Sequence, residues 1–152
     1  MQQQFGDYEI DDDRARLDFG RVHSWLTATY WSPGIERDKV ERAAASSTLA
    51  IGCYDRGDQV GYARVVSDTV RFAYVADVYV DEQHRGRGIA SAIVKFAQAH
   101  PAIADVKSIL LATRDAHQVY MSVGFSPLSN PEIWMTWVRP DKNDHSGEQS
   151  RP

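Results

Sequence analysis

The run Val70–Val80 passes without a break into Asp81-Glu82-Gln83-His84-Arg85-Gly86-Arg87-Gly88 and on into Ile89 to Ala99. Val70–Val80 is rich in β-branched and aromatic residues and reads as a long strand. From Gly88 onward Ile89, Ile93 and Phe96 recur at helical spacing until Pro101 stops the pattern. A strand that turns through two glycines into an amphipathic helix implies a sheet with a helix on its face. The turn itself has chemistry. A helix start carries unpaired N–H groups and the positive end of the peptide dipoles. Gly86 and Gly88 let the backbone approach a bulky anion, and Arg85 and Arg87 add charge. The turn therefore reads either as a phosphate or pyrophosphate site or as a tight connection only. A Walker loop would end in Gly-Lys-Ser/Thr, where this chain has Gly88-Ile89-Ala90. A dinucleotide fingerprint needs Gly or Ala at Ser91 and a parallel βαβ unit around it.

The other segments build outward from this centre. Tyr8 to Ile10 reads as a short strand, and the acidic run Asp11-Asp12-Asp13 as a solvated turn. Asp18 is placed to cap a helix through Phe19, Val22 and Leu26, with Leu17 stapled onto Val22. An Ala-rich helix is expected from Glu36 to Ser46. Thr48 to Tyr54 and Val60 to Val66 are strand-like, with turn signals at Asp55-Arg56-Gly57-Asp58 and Ser67-Asp68. Ser108 to Thr113 is expected as a buried strand. Asp115 is the expected cap of a last helix, with Ala116, Val119, Tyr120 and Val123 on its inner face and Gly124 at its left-handed end. Phe125 to Leu128 and Glu132 to Val138 are expected as closing strands. The order gives an α+β domain with a mixed, mostly antiparallel sheet of about six to seven strands and four helices, over residues 1–138. Residues 1–6 and the polar tail 139–152 are expected to be loose ends.

At 152 residues the chain is one domain by length. Its one cysteine, Cys53, excludes an internal disulfide and a cysteine zinc cluster, and no metal site is expected. The formal charge of −4 argues against a dedicated nucleic-acid binder; Asp81 and Glu82 offset Arg85, Arg87 and Lys95. No apolar run approaches the roughly 20 residues that span a bilayer, and the start Met1-Gln2-Gln3-Gln4 lacks signal-peptide character. A cytoplasmic location is expected, with neither membrane nor nucleic acid as partner.

Gln83-His84-Arg85-Gly86-Arg87-Gly88 after a long strand resembles the Q/R-x-x-G-x-G/A signature of the GNAT superfamily of acyl-CoA-dependent N-acyltransferases. Tyr120-Met121-Ser122-Val123-Gly124-Phe125 resembles its second motif, Tyr-x-x-x-Gly-Phe. The resemblance covers the whole body of the chain and implies the GNAT fold, with acetyl-CoA as co-substrate. Backbone N–H groups from Arg85 to Ala90, within the stretch Gln83, His84, Arg85, Gly86, Arg87, Gly88, Ile89 and Ala90, would hold the CoA pyrophosphate. The strand edge at Val78, Tyr79 and Val80 would pair with the pantetheine arm, and a backbone N–H there would polarise the thioester carbonyl. The family's long strand carries a bulge and splays from its neighbour. Tyr120 matches the family's general acid. Where relatives often have Asn seven residues earlier this chain has Thr113, a position that with His117 borders the CoA site.

The acceptor side follows from both readings. Asp77 and Tyr79 alternate onto one face of the long strand, opposite Ala76, Val78 and Val80. An acid within an apolar strand marks Asp77 as a candidate to bind a cationic amine or take its proton; the alternative is a carboxylate bonded to backbone at a bulge. His23, Trp31 and Arg114 are further candidate acceptor contacts, each with a plain structural alternative: a satisfied structural histidine for His23, packing for Trp31, an ion pair for Arg114. The expected reaction is direct attack of a primary amine on acetyl-CoA in a ternary complex. A small-molecule amine is favoured over a protein lysine or N-terminus, because no separate docking domain is seen. The rival is a non-catalytic CoA-binding or interaction module of the same fold. Trp134 and Trp137 are candidate contacts of a homodimer.

Overall fold

A computed structural model describes residues 1–140. Six strands form one sheet in the order of the sequence. They are β1 (Gln2–Phe5), β2 (Tyr8–Asp11), β3 (Leu49–Asp55), β4 (Asp58–Ser67), β5 (Phe72–Val80) and β6 (Ser108–Leu110). Every pair is antiparallel except β5 with β6. The helices are α1 (Phe19–Leu26), α2 (Arg37–Ala45), α3 (Ile89–Gln98) and α4 (His117–Met121). The expected α+β architecture is therefore present, at six strands.

Each face of the sheet has its own core. Ile51, Cys53, Ala63, Val65, Val75 and Val80 meet Ile89, Ile93 and Phe96 of α3 on one side. Ala50 and Tyr62 meet Val22, Trp25 and Leu26 of α1 and Val40 of α2 on the other, with Tyr79 packed against them. Asp18 caps α1 as expected, accepting the Arg21 N–H at 3.0 Å. The Ser67-Asp68 turn is held by one carboxylate. Asp68 Oδ1 accepts the amides of Val70, Arg71 and Phe72 at 3.1, 2.8 and 2.9 Å, so β5 starts at Phe72 rather than Val70.

Four expectations are corrected. Residues 1–6 are not a loose end: Gln2 pairs with Asp11 and Phe5 with Tyr8 across a turn at Gly6 (φ 58°). A glutamine run at a sheet edge gives no apolar alternation to read. The run Asp11-Asp12-Asp13 is engaged rather than solvated: Asp11 pairs with Arg16, Asp12 with His100 at 2.7 Å, and Asp13 caps a short turn. Asp115 does not cap α4; the Thr113 hydroxyl accepts the Ala116 N–H at 3.0 Å instead. Finally, Phe125 to Leu128 and Glu132 to Val138 form no strands, and Pro131–Ile133 is a single 3-10 turn. The expected tail beyond Pro140 lies outside the described residues.

Gly61, on β4, lets α3 sit close to the sheet. A Cβ there would stand 3.0 Å from Ile93 Cδ1 and 3.1 Å from Cys53 Cβ. Gly61→Val is expected to lower unfolding free energy by about 1–3 kcal/mol through overpacking, measured by urea denaturation.

Candidate active site

The strand β5 is much longer than its parallel neighbour. The strand β6 pairs only with Phe72, Ala73 and Tyr74, so from Val75 to Val80 that edge of β5 has no strand partner among the described residues. The split is accompanied by a bulge. Opposite β4, Tyr62 pairs with Tyr79 and Arg64 with Ala76, and Asp77 stands at the irregularity with φ +54°. Positive φ is uncommon in a non-glycine residue and marks local strain. Tyr62 and Arg64 lie two apart and share a face, so their partners Tyr79 and Ala76 share it too. Val75, Val78 and Val80 all pack toward α3. Strict alternation would have placed Ala76 opposite Tyr79; the extra residue reverses that.

Asp77 is not a free carboxylate. Its Oδ2 accepts from Arg64 Nε at 2.5 Å, with both side chains largely buried. Arg64 also reaches the Ser47 hydroxyl at 3.5 Å. Sequence reasoning missed Arg64; a basic residue within the apolar run Val60–Val66 was the available signal. A second missed residue, Trp25, stacks on Tyr79 with centroids 5.2 Å apart and ring planes 20° apart.

At the end of β5 the chain enters the glycine turn. The amides of His84 and Arg85 are used within the turn, bonded to Asp81 and Glu82 carbonyls at 2.9 and 3.4 Å. The amides from Gly86 to Ser91 make no hydrogen bond among the described residues, and α3 starts without a side-chain cap. Gly86 and Gly88 have φ of 75° and 79°, and open space lies where a Gly86 side chain would stand. An uncapped helix start behind two such glycines fits a diphosphate, so the residues present suit the coenzyme that the loop motif implies. Arg85 Nε donates to the Val80 carbonyl at 3.0 Å, with its guanidinium 5.2 Å from the Tyr79 ring centroid. Arg87 turns away to the Tyr8 hydroxyl at 2.9 Å, and that hydroxyl shares a 3.2 Å hydrogen bond with His84 Nδ1.

Trp25, the end of β5 and the glycine turn line a cleft of about 820 Å³. Of the residues singled out from sequence, Val78, Tyr79, Val80, His84, Arg85 and Gly86 line it. So do Gly88, Ile89, Ala90, Trp31, Arg114 and Tyr120. A neighbouring hollow of about 550 Å³ holds Asp77, Arg64 and Thr113 and shares Val78, Trp31, Arg114 and Tyr120 with the first. Arg114 lies over the Tyr30 ring at 3.8 Å, and its N–H donates to the Tyr30 hydroxyl at 3.0 Å. Four candidates fall elsewhere. Gln83 borders a separate polar hollow with Asp55 and Asp58. His23 donates from Nε2 to the Ile35 carbonyl at 3.0 Å. Arg87 and His117 line neither cleft, and the His117 side chain is exposed.

Tyr120 is held by the motif that follows it. The Phe125 N–H returns to the Tyr120 carbonyl and the Gly124 N–H to Met121, both at 3.1 Å. This is a Schellman end, with Gly124 left-handed at φ 94° and Phe125 packed edge-on against Tyr120 at 6.1 Å. The Tyr-x-x-x-Gly-Phe spacing thus follows from a helix stop that pins the tyrosine at both ends. Burial pushes the Tyr120 phenol above its ordinary value, reinforced by Tyr30, Asp115 and Tyr74 nearby.

Residues 46–127 match the family model for the acetyltransferase (GNAT) domain. This chain belongs to the GNAT acetyltransferase family. A crystal structure from Xanthomonas campestris pv. campestris, described as of the gnat family, is 37% identical, with TM-score 0.83 over 90% of this chain and 96% of that one. A Gibberella zeae protein that carries the name putative acetyltransferase is 27% identical over 103 residues; the match takes in 55% of this chain and 58% of that relative. A GNAT family acetyltransferase from Streptococcus pneumoniae TIGR4 shares the fold at TM-score 0.66 and 23% identity, over 87% of this chain and 96% of that one.

Because the folded state keeps the Tyr120 phenol protonated above its ordinary value, the stability this residue provides is fully present below about pH 10. It is lost as pH rises through the folded-state value. The unfolding free energy of the native chain is expected to fall more steeply above about pH 10 than that of Tyr120→Phe, measured by denaturation followed by circular dichroism.

Proposed function

We propose that this protein is an N-acetyltransferase that moves an acetyl group from acetyl-CoA to a small primary amine in a ternary complex. The observation that carries this reading is the unpartnered β5 edge from Val75 to Val80, which runs from the open amides of the glycine turn to the Tyr120 phenol.

Acetyl-CoA supplies a thioester carbonyl already activated toward a neutral amine. The amides from Gly86 to Ser91 would hold its diphosphate, and the backbone of Val78, Tyr79 and Val80 would align the arm as an added strand. A free N–H there would polarise the carbonyl. As the new N–C bond formed, the C–S bond would break, the departing sulfur would take the Tyr120 proton, and the proton left on the nitrogen would return through water to the Tyr120 phenolate. A thiol near 8.5 is a stronger acid than a phenol near 10, so this transfer depends on positioning rather than on acidity. The Schellman end supports such positioning. The acceptor amine would enter by the hollow beside Asp77, where Trp31, Tyr30 and the flat Arg114 guanidinium form a wall. Arg64 occupies one Asp77 oxygen, so Asp77 would steer the ammonium with the other and pass its proton to water. The size of this hollow suits a small molecule better than a folded protein segment.

The test is acetyl-CoA consumption across a panel of small amines and lysine peptides. Tyr120→Phe is expected to lower kcat by about 10² or more with acetyl-CoA affinity nearly unchanged. Near-normal kcat at every pH would remove Tyr120 from the acid role. Gly86→Val forces a β-branched residue into a left-handed turn and is expected to abolish acetyl-CoA binding in calorimetry. A folded variant with native affinity would overturn the diphosphate placement. Protection of the native chain by acetyl-CoA with no turnover on any amine would leave a binding module instead.

A further inference from the structure

Arg64, Arg85 and Arg114 are the arginines that line the two cavities, and the first two are already engaged. Arg64 Nε holds Asp77 at 2.5 Å, while Arg85 donates to the Val80 carbonyl at 3.0 Å and faces Glu82 at 3.4 Å. The Arg114 guanidinium borders both cavities, yet among the described residues it makes no ion pair and donates no hydrogen bond. It is nevertheless held in place. Its central carbon lies 3.8 Å from the Tyr30 ring centroid, and the backbone N–H of the same residue donates to the Tyr30 hydroxyl at 3.0 Å. Tyr30 in turn meets Trp31 edge-on, with centroids 4.8 Å apart and ring planes at 85°. A solvated arginine is loose along its whole length. Stacking on a ring fixes the plane and leaves the N–H edge open. Such a preorganised donor fork is complementary to a planar anion.

Charge points the same way. The hollow beside Asp77 is lined by Arg64 and Arg114 and by Asp77 and Asp115, with no lysine, histidine or glutamate among its lining residues. Its formal charge is therefore zero. A plain ammonium would enter it with a positive charge in excess, beside a guanidinium that has no counter-ion. Unbalanced charge is costly wherever water is partly excluded. An amine that also carries a carboxylate brings no excess, because its two charges cancel. A phosphate dianion in place of the carboxylate would bring a negative excess close to two aspartates. The volume of about 550 Å³ accommodates a molecule of amino-acid size, and Tyr74, Val75, Val78 and Leu111 offer apolar surface to its side chain.

Given the transferase reading above, on which this rests, we propose that the acceptor is an amino acid and that Arg114, laid flat on Tyr30, is the residue that selects it. The guanidinium edge takes the acceptor carboxylate through two N–H donors. The ammonium lies toward the Asp77 oxygen that Arg64 leaves open, and loses its proton to water before it attacks. Arg114 thus touches the acceptor at a group that does not react. Binding energy of that kind is felt in the acceptor KM more than in kcat.

The test gives the native chain acetyl-CoA and a set of amino acids, each beside its methyl ester and its decarboxylated amine. The best free acid is expected to exceed both of its analogues in kcat/KM by at least roughly tenfold. The ester amine is the weaker base and supplies more neutral nucleophile, so a preference for the acid over the ester cannot come from basicity. In Arg114→Gln the ratio of acid to decarboxylated amine is expected to fall toward one, through a raised acceptor KM. Arg114→Lys is expected to lie between, because it keeps the charge and loses the fork. The native comparison needs no variant and decides the matter even if a variant fails to fold. Amines or esters turned over at least as well as every amino acid, a ratio that Arg114→Gln leaves intact, or a loss in that variant confined to acetyl-CoA affinity would each overturn the assignment and leave the transferase reading standing. No turnover on any amine would overturn both.

Discussion

The site depends on a hydrogen-bonding shortfall. At Ala73 and Tyr74 β5 has a strand partner on both sides; from Val75 onward it has only β4, and that pairing is broken at the bulge. Backbone groups that elsewhere in the sheet are spent on a ladder are there left available. The bulge at Asp77 belongs to this arrangement, because the added residue turns the far half of β5 relative to the near half. The Arg64–Asp77 pair then neutralises the carboxylate that the bulge carries. Without the shortfall the glycine turn would sit at the end of an ordinary closed sheet, with no groove leading from it toward α4.

Two devices aim at that groove from opposite ends. On one side the chain withholds a cap from α3, leaving amides where most helices would place a Ser, Asp or Thr side chain. On the other it spends a full helix stop on one tyrosine. In the proposed reading the first would receive an anion and the second would restrict the motion of a phenol. Both are backbone effects written with glycine, and neither needs a reactive side chain of unusual acidity.

What was legible beforehand follows the strength of the local signal. The helix α1 was readable because Asp18 and the apolar stripe agree, and β3 to β5 because branched residues run between clear turns. Gly86, Gly88 and Gly124 stood out because left-handed backbone narrows the choice of residue. Arg64 did not, because an ion pair across two strands joins positions far apart in sequence. The face of Ala76 was misread because a bulge breaks the period of two that any strand reading assumes. The hairpin of β1 escaped because its strength lies in ladder bonds rather than in apolar residues. The strand-like pattern of Glu132 to Val138 was real, yet an extended segment becomes a strand only when an edge receives it.

The Tyr8 hydroxyl joins Arg87 and His84, so the glycine turn is braced against the first hairpin of the chain. A turn that must stay open to solvent cannot stiffen itself with buried packing, and here the rigidity is borrowed from a distant edge. In the proposed reading, damage to that edge would surface as weaker acetyl-CoA binding. Genetic surveys of such a chain would thus score parts of its N-terminal hairpin as functional when their contribution is mechanical.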